Sequence, residues 1–252
     1  MKAVLLAAGY GTRLYPLTQD CPKTLLPVAG RPMIEWILDR LAKVPGLDGV
    51  ALVTNDRFAP HHERWLAAAK PPCPVTVIND GTRTDADKLG AVGDIRLVRD
   101  RLKIDDDLLV VAGDNLFEFE VPAFVDFFRR KNAPAVALRD MKGSPLISKY
   151  SVVTLDADAR IAHFEEKPPR PRTSLIAICL YAFPKASLPL IDEYFAQGGN
   201  PDAPGYYIQW LCKRTPSYGW VFDAPWFDIG DLDSYDEANR KFAATQPRQA
   251  GR

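Results

Sequence analysis

Ala3-Val4-Leu5-Leu6-Ala7-Ala8-Gly9-Tyr10-Gly11-Thr12-Arg13-Leu14 joins an unbroken apolar run to a short glycine-bearing loop and an arginine. A run of that kind predicts a strand buried on both faces of a parallel sheet. Open α/β sheets bind ligands beyond the carboxyl ends of such strands, which is where Gly9 and Gly11 stand. Lacking a Cβ, the two glycines let backbone N–H groups come close to an anion. Arg13 adds a planar fork of donors suited to phosphate oxygens, and Lys23 offers a second positive charge. Two isolated glycines after a strand would make a tight turn and nothing more; with Thr12, Arg13 and Lys23 added, the segment reads as a phosphate loop. It is not a dinucleotide fingerprint, because Leu14 stands where the third glycine is needed. Nor is it a P-loop, since Gly11-Thr12-Arg13 runs into Pro16 rather than opening a helix.

The neighbouring segments extend the same picture. Pro16, Pro22 and Pro27 exclude a helix and predict a long loop. Gly30 and Pro32 punctuate a helix start, and Met33, Ile37, Leu38 and Leu41 follow at helical spacing. Strands are predicted over 50–54, 75–79 and 108–112, with a helix over 58–69 and another through Leu89, Val92, Ile95, Val98 and Leu102. From about Val121 the pattern changes. A helix over 122–131 leads to closely spaced strands over 135–138, 150–155, 160–164 and 175–183. Helices return over 186–195, 206–213 and 232–242. The fold class is therefore α/β: a Rossmann-like, mostly parallel sheet with flanking helices and an antiparallel subregion.

Composition narrows the ligand. Lys plus Arg equals Asp plus Glu at 32 each in 252 residues, so no whole-protein field recruits nucleic acid or an anionic membrane. Phosphate binding must come from a few placed cations, which points to a small ligand. Cys21, Cys73, Cys179 and Cys212 are far apart and form no C-x-x-C pair, against both a zinc site and a disulfide framework. The apolar run at the amino terminus is too short for a signal peptide, and no stretch approaches the roughly 20 apolar residues of a membrane span. A cytoplasmic protein without membrane or nucleic-acid partners is expected.

Two aspartates carry the next reading. Asp114 follows a predicted buried strand in Ala112-Gly113-Asp114-Asn115, and Asp228 lies in Trp226-Phe227-Asp228-Ile229-Gly230. Mg²⁺ is commonly held by one or two carboxylates plus substrate phosphate oxygens. Alone, Asp114 reads equally as a solvated turn residue and Asp228 as a helix cap, although Asp231 or Asp233 suits that job better.

The run Leu6-Ala7-Ala8-Gly9-Tyr10-Gly11-Thr12-Arg13-Leu14-Tyr15-Pro16-Leu17-Thr18, with Pro22-Lys23-Thr24-Leu25-Leu26-Pro27-Val28, resembles the nucleotide-binding signature of the sugar-1-phosphate nucleotidylyltransferases, glucose-1-phosphate thymidylyltransferases among them. The resemblance runs to about Phe242 and implies the nucleotide-diphospho-sugar transferase fold. It implies one domain over 1–243: a nucleotide-binding half (1–117), a sugar-binding part (118–227) and a return to the core (228–243), then a flexible tail over 244–252. It also implies that Arg13 and Lys23 contact the triphosphate and sugar phosphate, that Leu6, Ala8, Gly9, Gly11 and Thr12 hold the nucleotide, and that Asp114 and Asp228 hold Mg²⁺. In Phe164-Glu165-Glu166-Lys167-Pro168, Glu166 is implied at the sugar hydroxyls and Lys167 at the sugar phosphate, as a third catalytic cation. Asn115 is a lesser candidate at the sugar.

Two departures from the family pattern touch the substrates. Asp87-Lys88-Leu89-Gly90-Ala91 stands where relatives read the base, with Asp87 in place of a glycine. Asn79, Asp87 and Gly90 are accordingly the expected base-side contacts. Cys179 stands where a glycine beside the sugar is common. The expected reaction moves a nucleotidyl group from dTTP or UTP to glucose 1-phosphate and releases pyrophosphate. The alternatives are a cytidylyl- or guanylyltransferase for another phosphorylated acceptor, a non-catalytic nucleotide-sugar sensor, and a metal-dependent glycosyltransferase. Whether copies of the chain associate stays open. His61, His62 and His163 show no ligand spacing and are expected at the surface or partly buried; Trp210, Trp220 and Trp226 are expected in the core or at a subunit contact.

Overall fold

In the computed structural model, which describes residues 1–245, the amino-terminal apolar run becomes β1 (Lys2–Leu6) in the middle of a sheet. A short hairpin, β2 (Pro27–Val28) and β3 (Arg31–Pro32), leads into α1 (Met33–Leu41). There follow β4 (Val50–Thr54), α2 (Ala59–Ala68), β5 (Val75–Asn79), α3 (Ala91–Arg101) and β6 (Leu108–Ala112). The second half comprises β7 (Asn115–Phe117), α4 (Val121–Lys131), β8 (Ala135–Asp140), β9 (Ser151–Leu155), β10 (Ile161–Glu165) and β11 (Leu175–Phe183). It closes with α5 (Leu190–Ala196), α6 (Pro204–Leu211), β12 (Tyr218–Phe222), β13 (Trp226–Asp228) and α7 (Leu232–Thr245).

Strands run β10-β9-β11-β6-β1-β4-β5 across the main sheet, with β8 on β11 and β12 on β8. β6, β1, β4 and β5 are mutually parallel, and β11, β9 and β10 extend the same sheet antiparallel. The antiparallel subregion is thus continuous with the parallel core, because the long β11 pairs with β6 at its carboxyl end and β9 at its amino end, and with β8 at both ends.

The period of two along each strand sorts side chains onto two cores. Ala3, Leu5, Val50, Leu52, Leu109 and Val111 face a layer built with α1, α4 and α7. Val4, Ala51, Val53, Leu108 and Val110 face the other, built with α3, α5 and α6. That is why β1, β4 and β6 read as unbroken apolar runs.

The predicted loop over 16–27 contains no α-helix; one 3₁₀ turn, Thr12–Leu14, precedes it and another, Lys23–Leu25, lies within it. The helix expected from 186 begins at Leu190, since Pro184 and Pro189 frame a separate 3₁₀ turn, Lys185–Ser187. α7 runs on to Thr245, past the expected start of the tail at 244, and the rest of that tail lies outside the described residues. All four cysteines are free. Among the described residues no helix is long and apolar enough to cross a membrane.

Candidate active site

β1 and β6 lie side by side with Leu6 opposite Ala112, so the glycine loop and the Gly113-Asp114 turn leave the sheet together. The chain passes from β1 to β4 on one flank and returns with β6 on the other, making this the switch point where an open sheet leaves a crevice. The loop is pinned from behind. Buried Asn55 donates to the Ala8 carbonyl at 2.8 Å, and the Thr18 hydroxyl donates to the Gly11 carbonyl at 2.7 Å. Gly113 is required by close approach: a Cβ there would stand 2.6 Å from the Thr24 methyl and 2.8 Å from the Leu6 carbonyl. The Lys23–Leu25 turn therefore lies directly on Gly113.

That contact delivers Lys23 to Asp114. Its ammonium donates to Asp114 Oδ2 at 2.6 Å and to the Ile229 carbonyl at 3.1 Å. The turn is held at its back by His62, which is fully buried rather than at the surface. The Phe58 carbonyl can only accept, so His62 Nδ1 donates to it at 3.1 Å and Nε2 accepts from the Thr24 hydroxyl at 2.8 Å. Burial lowers the His62 pKa to about 4, consistent with that neutral tautomer.

Asp228 reaches the same spot through β13, which pairs with β7 so that Asp228 faces Asn115. The Asn115 amide donates to Asp114 Oδ1 at 2.8 Å and lies 3.5 Å from Asp228 Oδ1, while its carbonyl accepts from Trp226 Nε1 at 2.7 Å. Burial pushes the Asp114 pKa up, but the charge and hydrogen bond of Lys23 overcome it and the net shift is downward. At Asp228 burial, joined by the Asp114 charge, pushes the pKa up to about 6; Lys23, Tyr150 and Arg13 offset only part of this. Two acidic groups thus sit close together with the Lys23 and Arg13 charges beside them. Arg13 and Asp228 line a cavity of about 1440 Å³ together with Tyr150, Gly230 and Ser234. Asp231, not Asp228, caps α7, accepting from the Ser234 backbone at 3.0 Å.

Glu166 and Lys167 close β10 differently from one another. The Glu166 side chain is 3% exposed and accepts from the Ser151 hydroxyl, whereas Lys167 is 55% exposed with its ammonium 3.5 Å from Glu166 Oε1. At Cys179 burial first, then the charges of Asp114, Asp228 and Glu166, pushes the thiol up.

On the base side, the expected contacts bond chiefly to their own loop. Asn79 donates to Asp56 at 2.8 Å and accepts from the Gly81 backbone at 2.8 Å. Asp87 is exposed, and hydrogen bonds from the Arg83 and Thr84 backbone, with the Thr84 hydroxyl, lower its pKa. Gly90 has φ +77°, and a Cβ there would lie 2.4 Å from the Pro201 carbonyl, so packing against the 200–202 segment already requires glycine.

The structure thus brings Arg13, Lys23, Asp114, Asn115 and Asp228 to one cleft. Sequence reading missed Asn55, His62, Tyr150 and Trp226, each of which acts through a partner distant in the chain. Trp226 alone left a signal, since it lies two residues from Asp228.

Residues 2–245 match the profile of a family described as nucleotidyl transferase. The chain is 28% identical over 249 residues to a UTP–glucose-1-phosphate uridylyltransferase of Synechocystis sp., covering 95% of this chain and 63% of the relative. It is 31% identical over 241 residues to a glucose-1-phosphate thymidylyltransferase of Streptomyces antibioticus, covering 95% and 65%. The chain therefore spans under two thirds of the length of these relatives. Among solved structures, a UTP-bound UGPase from Acinetobacter baumannii superposes with a TM-score of 0.79 at 18% identity, over 98% of this chain and 94% of that one.

Proposed function

From the premise that the chain belongs to the nucleotidyl transferase family, we propose that it transfers a nucleotidyl group from dTTP or UTP to a sugar 1-phosphate, glucose 1-phosphate first among them, and releases pyrophosphate. The observation that carries this reading is the meeting of Lys23, Asp114, Asn115 and Asp228 beyond the β1 glycine loop.

An acceptor phosphate oxygen attacks the α-phosphorus in line, a new P–O bond forms, and the bond to the β-phosphate oxygen breaks with pyrophosphate taking the electron pair. The acceptor oxygen is already anionic near neutral pH, so no general base is required. The burden is holding two polyanions in register. Arg13 and Lys23 neutralise charge developing on the triphosphate, and the exposed Lys167 meets the acceptor phosphate. The glycine loop, held by Asn55 and Thr18, presents the backbone around Ala8–Thr12 to the nucleotide.

Asp114 and Asp228 fit a magnesium ion. They offer two carboxylates, hard oxygen donors of the kind magnesium takes, with the Asp114 charge felt at Asp228. Bound there with phosphate oxygens, the ion would supply Lewis-acid stabilisation of the transferring group.

A second reading concerns the acceptor. Because Glu166 is enclosed and its carboxylate is taken by Ser151, a smaller phosphorylated alcohol would lose less than a hexose from the missing hydroxyl contact. A pyrophosphate-release screen decides between them: dTTP, UTP, CTP, GTP and ATP against glucose 1-phosphate, other sugar 1-phosphates and short phosphorylated alcohols, with magnesium. Release with a sugar 1-phosphate supports the first reading; release only with small acceptors supports the second; none with any pair overturns both.

A further inference from the structure

Asp94, in the first turn of α3, is 4% exposed, and its Oδ1 has no hydrogen-bond partner. Its carboxyl is within hydrogen-bond reach of Asp80, which follows β5. Two carboxylates in such contact cannot both stay charged without severe repulsion, and a shared proton converts the repulsion into a hydrogen bond. Asp80 Oδ1 in turn accepts from the Thr82 backbone and the Thr82 hydroxyl, each at 2.7 Å, and Thr82 is buried. Beside Thr82 lies the buried Tyr10 hydroxyl, whose surroundings also include Asp85 and Asp87. The Thr82 carbonyl accepts from the Asp56 backbone at 2.9 Å, next to the Asn55 that holds Ala8, so the group reaches from α3 through Asp80 and Thr82 to the support of the glycine loop.

We propose that Asp94 is a positioning residue for nucleotide binding: a proton held between Asp94 and Asp80 fixes the 80–90 loop against the glycine loop in its binding conformation. The inference rests on the reading of that loop as the base side of the nucleotide site. Among the described residues no cation forms an ion pair with either carboxylate; Arg101 of α3 donates to the Asn79 carbonyl beside Asp80 at 2.8 Å. Among the elements packed against α3, Asp192 of α5 is taken by Arg96 and Arg99, and Glu193 sits beside Tyr207. Asp202, just before α6, is taken by Lys88. β1 and β4 bring apolar side chains and Thr54, with Lys2 at the opposite end of β1. Asp87 adds further negative charge to Asp80. Burial, then the Asp80 charge and hydrogen bond, raises the Asp94 pKa to about 8. Nucleotide binding should therefore weaken just above neutrality.

The proton is tested without turnover. In the unfolded chain Asp94 titrates near 3.8 and in the folded chain near 8. The folded state therefore binds the extra proton between those values, and wild-type stability falls as pH rises through that window. Asp94→Asn keeps a neutral donor and removes the titration. Its melting temperature should gain on wild type as pH goes from 5 to 8 and level off beyond; a constant difference overturns the shared proton. Affinity for UTP and dTTP with magnesium is then measured by calorimetry between pH 7 and 9. Wild type should weaken roughly tenfold, following the protonated fraction at a pKa of about 8, while Asp94→Asn stays flat and Asp94→Leu binds weakly throughout. Equal pH slopes for wild type and Asp94→Asn overturn the positioning role. No binding of either nucleotide by wild type at any pH overturns the nucleotide reading itself, and the melting series still reports on the proton.

Discussion

The two flanks of the glycine loop are built on opposite plans. At the phosphate end, Lys23, Asp114, Asn115, Trp226 and Asp228 come from three distant segments and bond to one another. On the base side, Asn79 and Asp87 bond mainly within or beside their own loop. Long-range contacts of buried charges fix a geometry and leave little room for variation, since each partner's loss strands another. A loop closed on itself can change its side chains without disturbing the sheet. On the proposed function, chemistry sits on the first plan and substrate choice on the second.

The sharpest break in that contrast is Asp114→Asn. It leaves the largely buried Lys23 ammonium without its anion and takes one of two carboxylates from the proposed metal site. Pyrophosphate release should fall by about 10²–10³ or more, as for loss of a preorganised charged group, with the circular dichroism of the fold retained. Full activity with magnesium would remove the phosphate-end assignment.

His62 tests whether the phosphate end is braced from behind. Its pKa is about 4 folded against 6.5 unfolded, so the unfolded chain binds the proton first as pH falls. Stability is then fully present above about 6.5 and is lost on the way down to about 4, by roughly 3 kcal/mol. His62→Gln, which keeps polar atoms and cannot titrate, should lack that loss. Urea unfolding of both proteins at pH 7 and pH 4 measures it, and parallel declines would show that His62 is not held neutral.

On the base side, Gly90→Ala should destabilise by about 1–3 kcal/mol from backbone strain alone, because φ is +77°. The contact with the Pro201 carbonyl adds to that. A melting curve unchanged by this substitution would mean that the α3 start is looser than its packing implies.

The same contrast explains what the sequence disclosed. β1, β4 and β6 were legible because burial on both faces leaves unbroken apolar runs, and Asp114 because it follows one of them. β7 and β13, each three residues long, leave no periodicity to read, although their pairing is what brings Asp228 to Asn115. His62 was unreadable for a related reason: its burial depends on Thr24, which is far from it in the chain. Glu166 and Lys167 are adjacent and oppositely charged, yet only the fold encloses one and exposes the other.

The smallest effect is the most discriminating. Asp87 is exposed and its carboxylate is occupied by the backbone of Arg83 and Thr84. If that local cap is its whole role, Asp87→Ala should loosen the loop slightly and raise the nucleotide KM by a similar small factor for every triphosphate. A carboxylate that also reads the base would behave otherwise, since a group accepting from one base's N–H repels another base's carbonyl. The measurement is the ratio of kcat/KM values among dTTP, UTP, CTP and GTP, before and after substitution. An unchanged ratio places base choice on the backbone of 88–91 or on the 79–84 segment. A changed ratio makes Asp87 a specificity residue, and the self-contained loop would then be selective because its carboxylate is held in place by its own backbone.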